Sequence, residues 1–370
     1  MAHIRRHPKF KGSWQVRYAD PSGREQVENF TTRSEAEGFL HKVRAEPVSS
    51  AFDGRRSVVS LQDWTDRWWK SVSHLKPTTT EAYESLLRLH ILPRFGDVAL
   101  GQIEPADVRE WVAERHATGL SASRTRQAYN LLAQILQSAV ESGYLAETPC
   151  VGVSLPTKER QEMRLLTAAE VRKVADATRD PYAVLVYVLA YGGLRWGEAA
   201  ALRRERCDLL RSRLQVTETV AETRTGVRFD PIKPSQVREV VVPAFLRDLL
   251  TEHLAHNVGA DPGALVFPAT DGGPLLRKGF NSSVWAAALE AAGVDYLRPD
   301  DLRHTSASLL IESGGGAKAV QQHLGLPSLQ ATFDRYGDLF PSDHEALAER
   351  MDDLYRTSLK STAKAGRKGG

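Results

Sequence analysis

The sequence predicts a multidomain protein: a small β-sheet-plus-helix module, then an all-α domain, then a mixed α+β domain that is mainly α. Apolar and polar residues alternate between positions 14 and 30, which is the period of half-buried strands. Helical periodicity with start and stop signals dominates residues 61–143, and strand signals at 214–242 interrupt a second helical region. A chain of 370 residues, 42% of them apolar, is long enough for two or three packed domains.

Composition excludes several classes of protein. No apolar run approaches the ~20 residues of a membrane-spanning helix, and the N-terminus lacks the apolar stretch of a signal peptide. Cys150 and Cys207 are the two cysteines, without a CxxC pair or a Cys/His cluster, which fits a reducing cytosol and argues against structural zinc. We therefore expect a cytoplasmic protein without a metal site.

Charge is unevenly distributed along the chain. The formal net charge is only +3, whereas the tail from Arg356 to Gly370 carries five basic residues and no acidic one. Basic ends on a near-neutral body suit contact with phosphate groups. A solvated, disordered tail at 356–370 is the alternative interpretation.

Residues 1–55 are interpreted as a small module followed by a linker. Strands are predicted at 14–19 and 24–30, and a short strand near His3–His7 completes a three-stranded sheet. The capping-box pattern Thr32–Glu35 then starts a helix. A protein-interaction module is the alternative to a sheet that enters a DNA groove. The basic residues that such a sheet would present to DNA are Arg5, Arg6, Lys9, Lys11 and Arg17.

Residues 56–150 predict an all-α domain. Helices are expected at Leu61–Lys70, from a capping box at Thr78 to a stop near Pro93, from Pro105 through Trp111, and from Ser121 to Gly143. Each basic residue of this domain would by itself be an ordinary surface charge. Together, those that could line DNA are Lys76, Arg88, Arg94, Arg124 and Arg126.

A polar linker at 151–164 precedes the mixed, mainly α domain at 165–355. A capping box at Thr167 opens it, and an apolar helix ends at Tyr191 before two glycines. The predicted strands are 214–217, 227–232 and 237–242, with Lys233–Gln236 as a hairpin turn between the last two. Later helices are predicted at Phe245–His256, Phe280–Ala292, Pro299–Ser313, Lys318–Leu324, Ser328–Tyr336 and Ser342–Tyr355.

Two arginines and a tyrosine in this domain suggest a chemistry. Arg195 follows a Gly-Gly pair, Arg303 lies in Asp-Leu-Arg-His-Thr, and Tyr336 lies in Asp-Arg-Tyr-Gly. Guanidinium groups stay charged and bind paired phosphate oxygens, and a phenol with an ordinary pKa of ~10 needs such neighbours to attack phosphorus. The pattern predicts DNA strand cleavage, with Tyr336 as the nucleophile and the arginines as the phosphate clamp. Alone, each residue would be a surface charge or a packed aromatic.

Lys233 is the candidate general acid. At a hairpin tip above the site, its ammonium group would protonate the departing 5′-oxygen. A phosphotyrosine linkage conserves the energy of the phosphodiester, so the reaction needs neither a metal ion nor a nucleotide. The sequence accordingly has no phosphate-binding P-loop motif, and we expect no cofactor.

These segments resemble those of the tyrosine site-specific recombinases, of the phage integrase type with an arm-binding domain. Tyr191–Ala199 resembles the family's first arginine segment, and Asp301–Ser308 resembles the second. Leu324–Pro341 resembles the nucleophile segment, and Lys233 falls where the family has its β-hairpin lysine. The resemblance covers nearly the whole chain.

The resemblance implies a function for each domain. Residues 1–55 would be the arm-type DNA-binding domain, 56–150 the helical, SAM-like core-binding domain, and 165–355 the catalytic domain. A homo-tetramer would act on double-stranded DNA with core and arm attachment sites, through a 3′-phosphotyrosine intermediate and a Holliday junction. The further partners that the resemblance implies are a DNA-bending host factor and an excisionase. The implied role is viral genome integration in the bacterial cytoplasm, at the nucleoid.

Two positions depart from the family pattern. Asp300 stands where the family usually has His and would serve as the proton acceptor, and Leu326 stands at the usual His or Trp, where it packs without donating a hydrogen bond. His304 is expected to be structural, and His323 is a candidate substitute for the missing donor. The departures motivate an alternative, a catalytically impaired site-specific DNA-binding protein of the same fold. A type IB topoisomerase-like enzyme is a second alternative.

Overall fold

The computed structural model describes residues 3–6, 14–19, 25–45, 59–157, 163–341 and 348–356. The chain divides into two compact units, Met1–Arg160 and Gln161–Gly370. Lys9, Lys11, the whole of the first predicted linker and the tail beyond Arg356 lie outside the described residues. No helix in the described part of the chain is both long and apolar enough to cross a membrane.

The N-terminal module is a three-stranded antiparallel sheet with one helix. Its elements are β1 (His3–Arg6), β2 (Trp14–Ala19), β3 (Glu25–Phe30) and α1 (Arg33–Ala45), with β2 in the middle of the sheet. Val16 and Ala36 have no exposed surface. The Thr32 Oγ1 accepts from the Glu35 N–H at 3.2 Å, and a Glu35 carboxylate oxygen accepts from the Thr32 N–H at 3.2 Å. The predicted strands and the capped helix are therefore present.

The second part of the first unit is helical. Its helices are α2 (Leu61–Ser71), α3 (Pro77–Leu86), α4 (Leu92–Phe95), α5 (Pro105–Ala117) and α6 (Ala122–Glu141). One apolar core joins them, and the spacing of apolar residues on α6 explains why seven of its side chains are buried. Residues 61–143 are therefore all-α, as predicted.

The structure contradicts one local prediction in this region and confirms another. The N-cap of α3 is Lys76, so Thr78 and Glu81 lie inside the helix and do not cap it. The helical run ends near Pro93, as predicted: a π-helical turn at Leu87–Ile91 carries the chain on into α4, which ends at Phe95. Pro93 lies in the first turn of α4, where a residue without an N–H donor loses no helical hydrogen bond.

The second unit is mainly helical and contains two small sheets. Its helices are α7 (Ala168–Ala177), α8 (Ala183–Gly192), α9 (Trp196–Ala200), α10 (Ala244–His256), α11 (Arg277–Phe280), α12 (Ala286–Ala292), α13 (Leu302–Glu312), α14 (Ala317–Leu324) and α15 (Leu329–Tyr336). Its strands are β4 (Cys207–Asp208), β5 (Arg213–Val216), β6 (Glu218–Thr223), β7 (Gly226–Pro231) and β8 (Arg238–Val241). Residues 348–356 form a further exposed helix.

The strand pairing differs from the prediction around Lys233. β7 pairs with β6, and β8 pairs with β5, so the strands on either side of Lys233 belong to different sheets. Strand β6 was missed, and the short turn that joins it to β7 makes it the nearer partner. β8 in turn pairs Val240 with Leu214 of β5, and both side chains are fully buried. Burial of these apolar side chains favours the β5–β8 pairing.

Helix α8 lies at the centre of the second unit. It is apolar on all sides, and Val186, Val188 and Ala190 have no exposed surface. Helix α13 packs against it, so Leu302 joins the same core. A second, smaller core contains Ala307, Ile311, Val320, Leu324, Leu326 and Tyr336. The two arginine segments and the tyrosine segment therefore come together around α8 and α13.

Candidate active site

Arg195 lies at the junction between α8 and α9. The chain leaves α8 through Gly193, whose φ of 62° lies in the left-handed region that favours glycine. Arg195 is then the N-cap of α9. The Glu198 carboxylate accepts from the Arg195 backbone N–H at 2.8 Å and from its Nη1 at 2.9 Å. The Arg195 side chain remains 39% exposed, so a phosphate can reach its other N–H groups.

Arg303 lies in the first turn of α13 and is almost buried. Its side chain donates to the carbonyl oxygens of Gly193, at 2.5 Å, and of Leu324. These bonds use two of the five N–H donors of the guanidinium group, which leaves three for a phosphate. Burial, followed by repulsion from Arg195, lowers the pKa of Arg303 to about 9. The group is therefore still a cation at neutral pH.

Tyr336 is the last residue of α15 and has no exposed surface. Its hydroxyl lies 3.0 Å from Nδ1 of His304. Burial raises the pKa of Tyr336 above its ordinary value and outweighs the opposing charges of Arg303 and Arg195. The two arginines act in the predicted direction, but the expectation that they would favour the phenolate overall is wrong, because burial has the larger effect.

Lys233 is exposed, but it does not lie at a hairpin tip. It precedes the 3₁₀ turn Pro234–Gln236 in the connection between β7 and β8. The true hairpin joins β6 to β7 at residues 224–225. The location expected for Lys233 is therefore corrected, because its flanking strands are not paired with each other.

Asp300 forms an ion pair with a residue that the sequence did not suggest. It lies in the 3₁₀ turn Pro299–Asp301, and its Oδ2 accepts from Arg277 Nη1 at 3.0 Å. The neutralising charge was expected from Arg195 or Arg303. The Asp300 carboxylate lies instead at an open cleft of about 720 Å³, whose lining residues include Trp196, Tyr296, Arg277 and Arg298.

Leu326 and His323 lie on either side of the bend after α14. Leu326 is nearly buried in the small core that holds Tyr336. The Nε2 of His323 donates to the Tyr191 carbonyl oxygen at 3.0 Å, and burial lowers the His323 pKa to about 4. His323 thus supports the end of α8 in its neutral form, and the candidate role as a phosphate donor in place of Leu326 has no geometric support.

Sequence reasoning missed a buried ion pair beneath the arginine site. Arg238 of β8 binds Glu198 in a bidentate manner, with Nη1–Oε1 at 3.1 Å and Nη2–Oε2 at 2.8 Å. The Arg238 Nε also donates to the His323 carbonyl oxygen at 3.0 Å. A carboxylate inside the apolar segment around Trp196 was the available signal, because a buried charge requires a partner.

The predicted DNA-binding residues occupy different environments. Arg5 is exposed on β1, where its Nε donates to Gln15 at 2.9 Å, and Lys76 is exposed at the start of α3. Arg124 donates to Ser85 at 3.0 Å, and the Nε of Arg126 donates to the Pro156 carbonyl oxygen at 2.9 Å. Arg126 therefore ties α6 to the segment that leaves it. Arg6 lies on β1, and Arg17 is half-buried on β2.

Comparison with known proteins identifies both parts of the chain. The profile of the phage integrase family matches residues 157–342. The profile of the phage integrase N-terminal SAM-like domain matches residues 60–114. The first match contains Arg195, Lys233, Arg303 and Tyr336, and the second lies within the predicted helical domain.

Individual relatives agree with these profiles. The putative prophage phiRv2 integrase of Mycobacterium tuberculosis is 30% identical over 326 residues, 85% of this chain and 86% of the relative. The Tn1549 transposon integrase, solved in complex with a circular intermediate DNA, has a TM-score of 0.69 at 17% identity, covering 80% of this chain and 99% of that one. The lambda integrase tetramer bound to a Holliday junction has a TM-score of 0.56 at 17% identity, covering 88% and 95%. Since the profile spans half of the chain and the phiRv2 relative most of it, the chain belongs to the phage integrase family of tyrosine site-specific recombinases.

Proposed function

We propose that this protein is a site-specific DNA recombinase that integrates prophage DNA, with Tyr336 as its nucleophile and Arg195 and Arg303 as its phosphate clamp. The convergence of these three residues carries the proposal. Arg303 binds the carbonyl of Gly193, two residues before Arg195, and that of Leu324, which packs beside Tyr336. Both arginine charges lower the pKa of the phenol, so both lie within electrostatic reach of it.

The proposed reaction exchanges one phosphodiester for another. The Tyr336 Oη attacks phosphorus, the bond from phosphorus to the 5′-oxygen breaks, and the products are a 3′-phosphotyrosine and a 5′-hydroxyl. Lys233 gives the departing oxygen its proton. Arg195 and Arg303 stabilise the negative charge that grows on the non-bridging oxygens in the transition state. Attack by the 5′-hydroxyl of another strand reverses the steps and completes the exchange.

The buried position of Tyr336 adds a condition to this reaction. Because the residue has no exposed surface, a phosphate can touch the hydroxyl only after the α15 segment shifts. Neighbouring Phe333 is half-exposed and makes a ring contact at 5.7 Å with Phe340, which packs against the small core. We expect DNA binding to precede this shift, so that strand cleavage depends on assembly at the site.

The proposed assembly follows the relatives. The lambda integrase structure is a tetramer bound to a Holliday junction, and we propose that a tetramer of this chain joins two duplexes in the same way. In this proposal 1–55 bind arm sites, 56–150 bind the core site, 151–164 link them to the catalytic residues 165–355, and 356–370 are a basic tail. We propose that a DNA-bending host factor and an excisionase also take part, in the bacterial cytoplasm.

A nicked suicide substrate that contains the attachment site tests this function. We expect the full-length protein to form a protease-sensitive covalent adduct with DNA and Tyr336→Phe to form none. Tyr182→Phe is the matched control, because Tyr182 is also nearly buried and its hydroxyl donates to the Pro268 carbonyl oxygen at 3.0 Å. Both variants lose one hydroxyl and about 1 kcal/mol of stability, but only Tyr336→Phe should lose the adduct.

The two alternatives give different results in the same assay. An undiminished adduct in Tyr336→Phe would refute the assignment of the nucleophile. Site-specific binding without any adduct in the unaltered protein would favour the catalytically impaired DNA-binding protein, which Asp300 and Leu326 motivate. Relaxation of plasmids that lack an attachment site would favour the type IB topoisomerase-like enzyme.

A further inference from the structure

We propose that His304 is a catalytic residue that accepts the proton of Tyr336 during strand cleavage. The inference rests on the proposed function and adds a role that the sequence pattern assigned to Asp300. His304 directly follows Arg303 on α13 and was expected to be structural. The geometry around the Tyr336 hydroxyl assigns it a direct contact with the nucleophile.

The contact between His304 and Tyr336 has the geometry of a proton transfer. The His304 Nδ1 and the Tyr336 Oη are 3.0 Å apart, within the distance that a general base requires. The two ring centres are 5.7 Å apart, with an angle of 59° between the ring planes. The two groups are therefore in direct contact, and the proposal requires that His304 stay within hydrogen-bond distance of the hydroxyl when the α15 segment shifts.

Asp300 is held by another partner at the same time. Its Oδ2 accepts from Arg277 Nη1 at 3.0 Å, beside the open cleft rather than the small core that encloses Tyr336. His304 lies four residues later, about one helical turn further along. A base at position 304 can thus replace the missing histidine at position 300.

The surroundings of His304 favour the neutral imidazole that a base requires. Burial lowers the His304 pKa below its ordinary value of 6.5, and three arginine charges act in the same direction while one carboxylate opposes them. Asp301, the opposing carboxylate, is bound to Arg298 at 2.8 Å. With the proton on Nε2, the Nδ1 lone pair faces the hydroxyl. The charged groups that act on His304 are Arg335, Asp301, Arg303 and Arg298.

The proton balance of the step is simple. As the bond from Oη to phosphorus forms, the hydroxyl proton moves to His304 Nδ1, and the ring becomes an imidazolium. The 5′-oxygen leaves with the proton from Lys233. The carboxylate of Asp301 and the charge of the bound phosphate stabilise the imidazolium. On religation the same proton returns to the Tyr336 oxygen.

Single-turnover cleavage of the suicide substrate across about pH 5 to 8.5 tests the proposal. With wild type at limiting DNA, we expect the rate to fall on the acid side of pH ~6.5, where His304 becomes protonated. His304→Asn places an amide near the position of Nδ1 but cannot titrate, so cleavage should fall by about 10²- to 10⁴-fold and the acid limb should disappear. His256→Asn is the matched control, since His256 is an exposed histidine on α10.

A substrate with sulfur in place of the 5′-bridging oxygen separates the base from the acid. A thiolate leaves without a proton, so this substrate should restore cleavage to Lys233→Ala. It should not restore cleavage to His304→Asn, because the attacking hydroxyl still lacks its acceptor. Restoration of His304→Asn to the wild-type rate would overturn the proposal.

The outcomes distinguish this proposal from the proposed function. If wild type forms no adduct, or if Tyr336→Phe keeps it, the function itself fails. If the adduct depends on Tyr336 but His304→Asn cleaves within threefold of wild type, only the role of His304 fails. An acid limb that Asp300→Asn removes and His304→Asn retains would assign the base to Asp300. The pH–rate profile of wild type tests the proposal even if His304→Asn misfolds. If the wild-type rate does not fall at acid pH, the proposal is overturned.

Discussion

Replacement of Arg238 by methionine tests whether the buried ion pair supports the active site. Arg238→Met keeps most of the side-chain volume but removes the cation from Glu198. The two side chains are 6% and 2% exposed and are joined by two hydrogen bonds of 3.1 and 2.8 Å. Burial raises the pKa of Glu198, but hydrogen bonds to Arg238 together with its charge lower it below its ordinary value. The carboxylate is therefore ionised at neutral pH and needs its partner.

The size of the effect follows from burial. Loss of one partner of a buried pair costs about 3 to 5 kcal/mol, because the other charge remains unpaired. Glu198 retains the Arg195 Nη1 at 2.9 Å and its backbone N–H at 2.8 Å. We therefore expect the lower end, about 3 kcal/mol of unfolding free energy. Without Arg238, Glu198 pairs with Arg195 alone, so the Arg195 side chain should be less available to the phosphate. Strand cleavage should therefore fall as well.

Denaturant unfolding of the full-length protein measures this cost. Arg213→Met is the matched control, because Arg213 binds Glu239 at the same Nη–Oε distance of 2.8 Å on the same sheet. That pair is 42% and 49% exposed, so its loss should cost about 0 to 1 kcal/mol. The double variant Arg238→Met, Glu198→Gln has no unpaired carboxylate. Its loss of unfolding free energy should therefore be smaller than the sum of the losses in the two single variants.

An equal cost for Arg238→Met and Arg213→Met would refute the reasoning. Such a result would mean that water reaches Glu198 in the folded protein, so that burial does not set the energy of the pair. If Arg238→Met shows the whole expected loss of unfolding free energy but the folded protein cleaves DNA at the unchanged rate, only the link to Arg195 is refuted.

Two further predictions concern the segments around α8. The folded pKa of His323 is about 4, against an ordinary value of 6.5. As the pH falls from 6.5 towards 4, the unfolded chain binds a proton that the folded chain does not, and stability falls. His323→Gln keeps a donor for the Tyr191 carbonyl but does not titrate. Between pH 7.5 and 5, its unfolding free energy should therefore fall by about 2 kcal/mol less than that of wild type. An equal fall in the two proteins would contradict this prediction. Gly193→Ala would bring a Cβ within 2.5 Å of Leu324 and 2.7 Å of Ser306 at a φ of +62°, and should cost about 2 to 4 kcal/mol. Gly293→Ala, at φ +66° with open space around it, should cost only about 1 to 2 kcal/mol, and equal costs would show that crowding at Gly193 is unimportant.

The element types could be predicted well because their signals are local. Capping boxes at Thr32 and Thr167 appear in the structure as predicted, since each needs only residues three positions apart. The apolar helix α8 and its glycine end were predicted for the same reason. The capping box at Thr78 failed because the N-cap of that helix is Lys76, two residues earlier.

Pairings between distant segments could not be predicted in this way. The β5–β8 pairing depends on Leu214 and Val240 meeting in the core, 26 residues apart in the chain, and a missed strand β6 changed the partner of β7. The ion pair of Glu198 with Arg238 spans 40 residues. No local pattern specifies which buried strand or charge will be the partner.

The sequence by itself determined the family of this protein, through two arginines, a lysine and a tyrosine in segments that resemble those of one enzyme family. These segments are short and contiguous, so they can be identified without knowledge of the fold. The tertiary structure alone decided how the groups are held, because contact and burial depend on segments distant in the chain. It enclosed Tyr336 against His304, gave Asp300 to Arg277, and placed Arg238 beneath the arginine site. The proposed nucleophile can thus be predicted from the sequence, whereas its proposed proton acceptor depends on the fold.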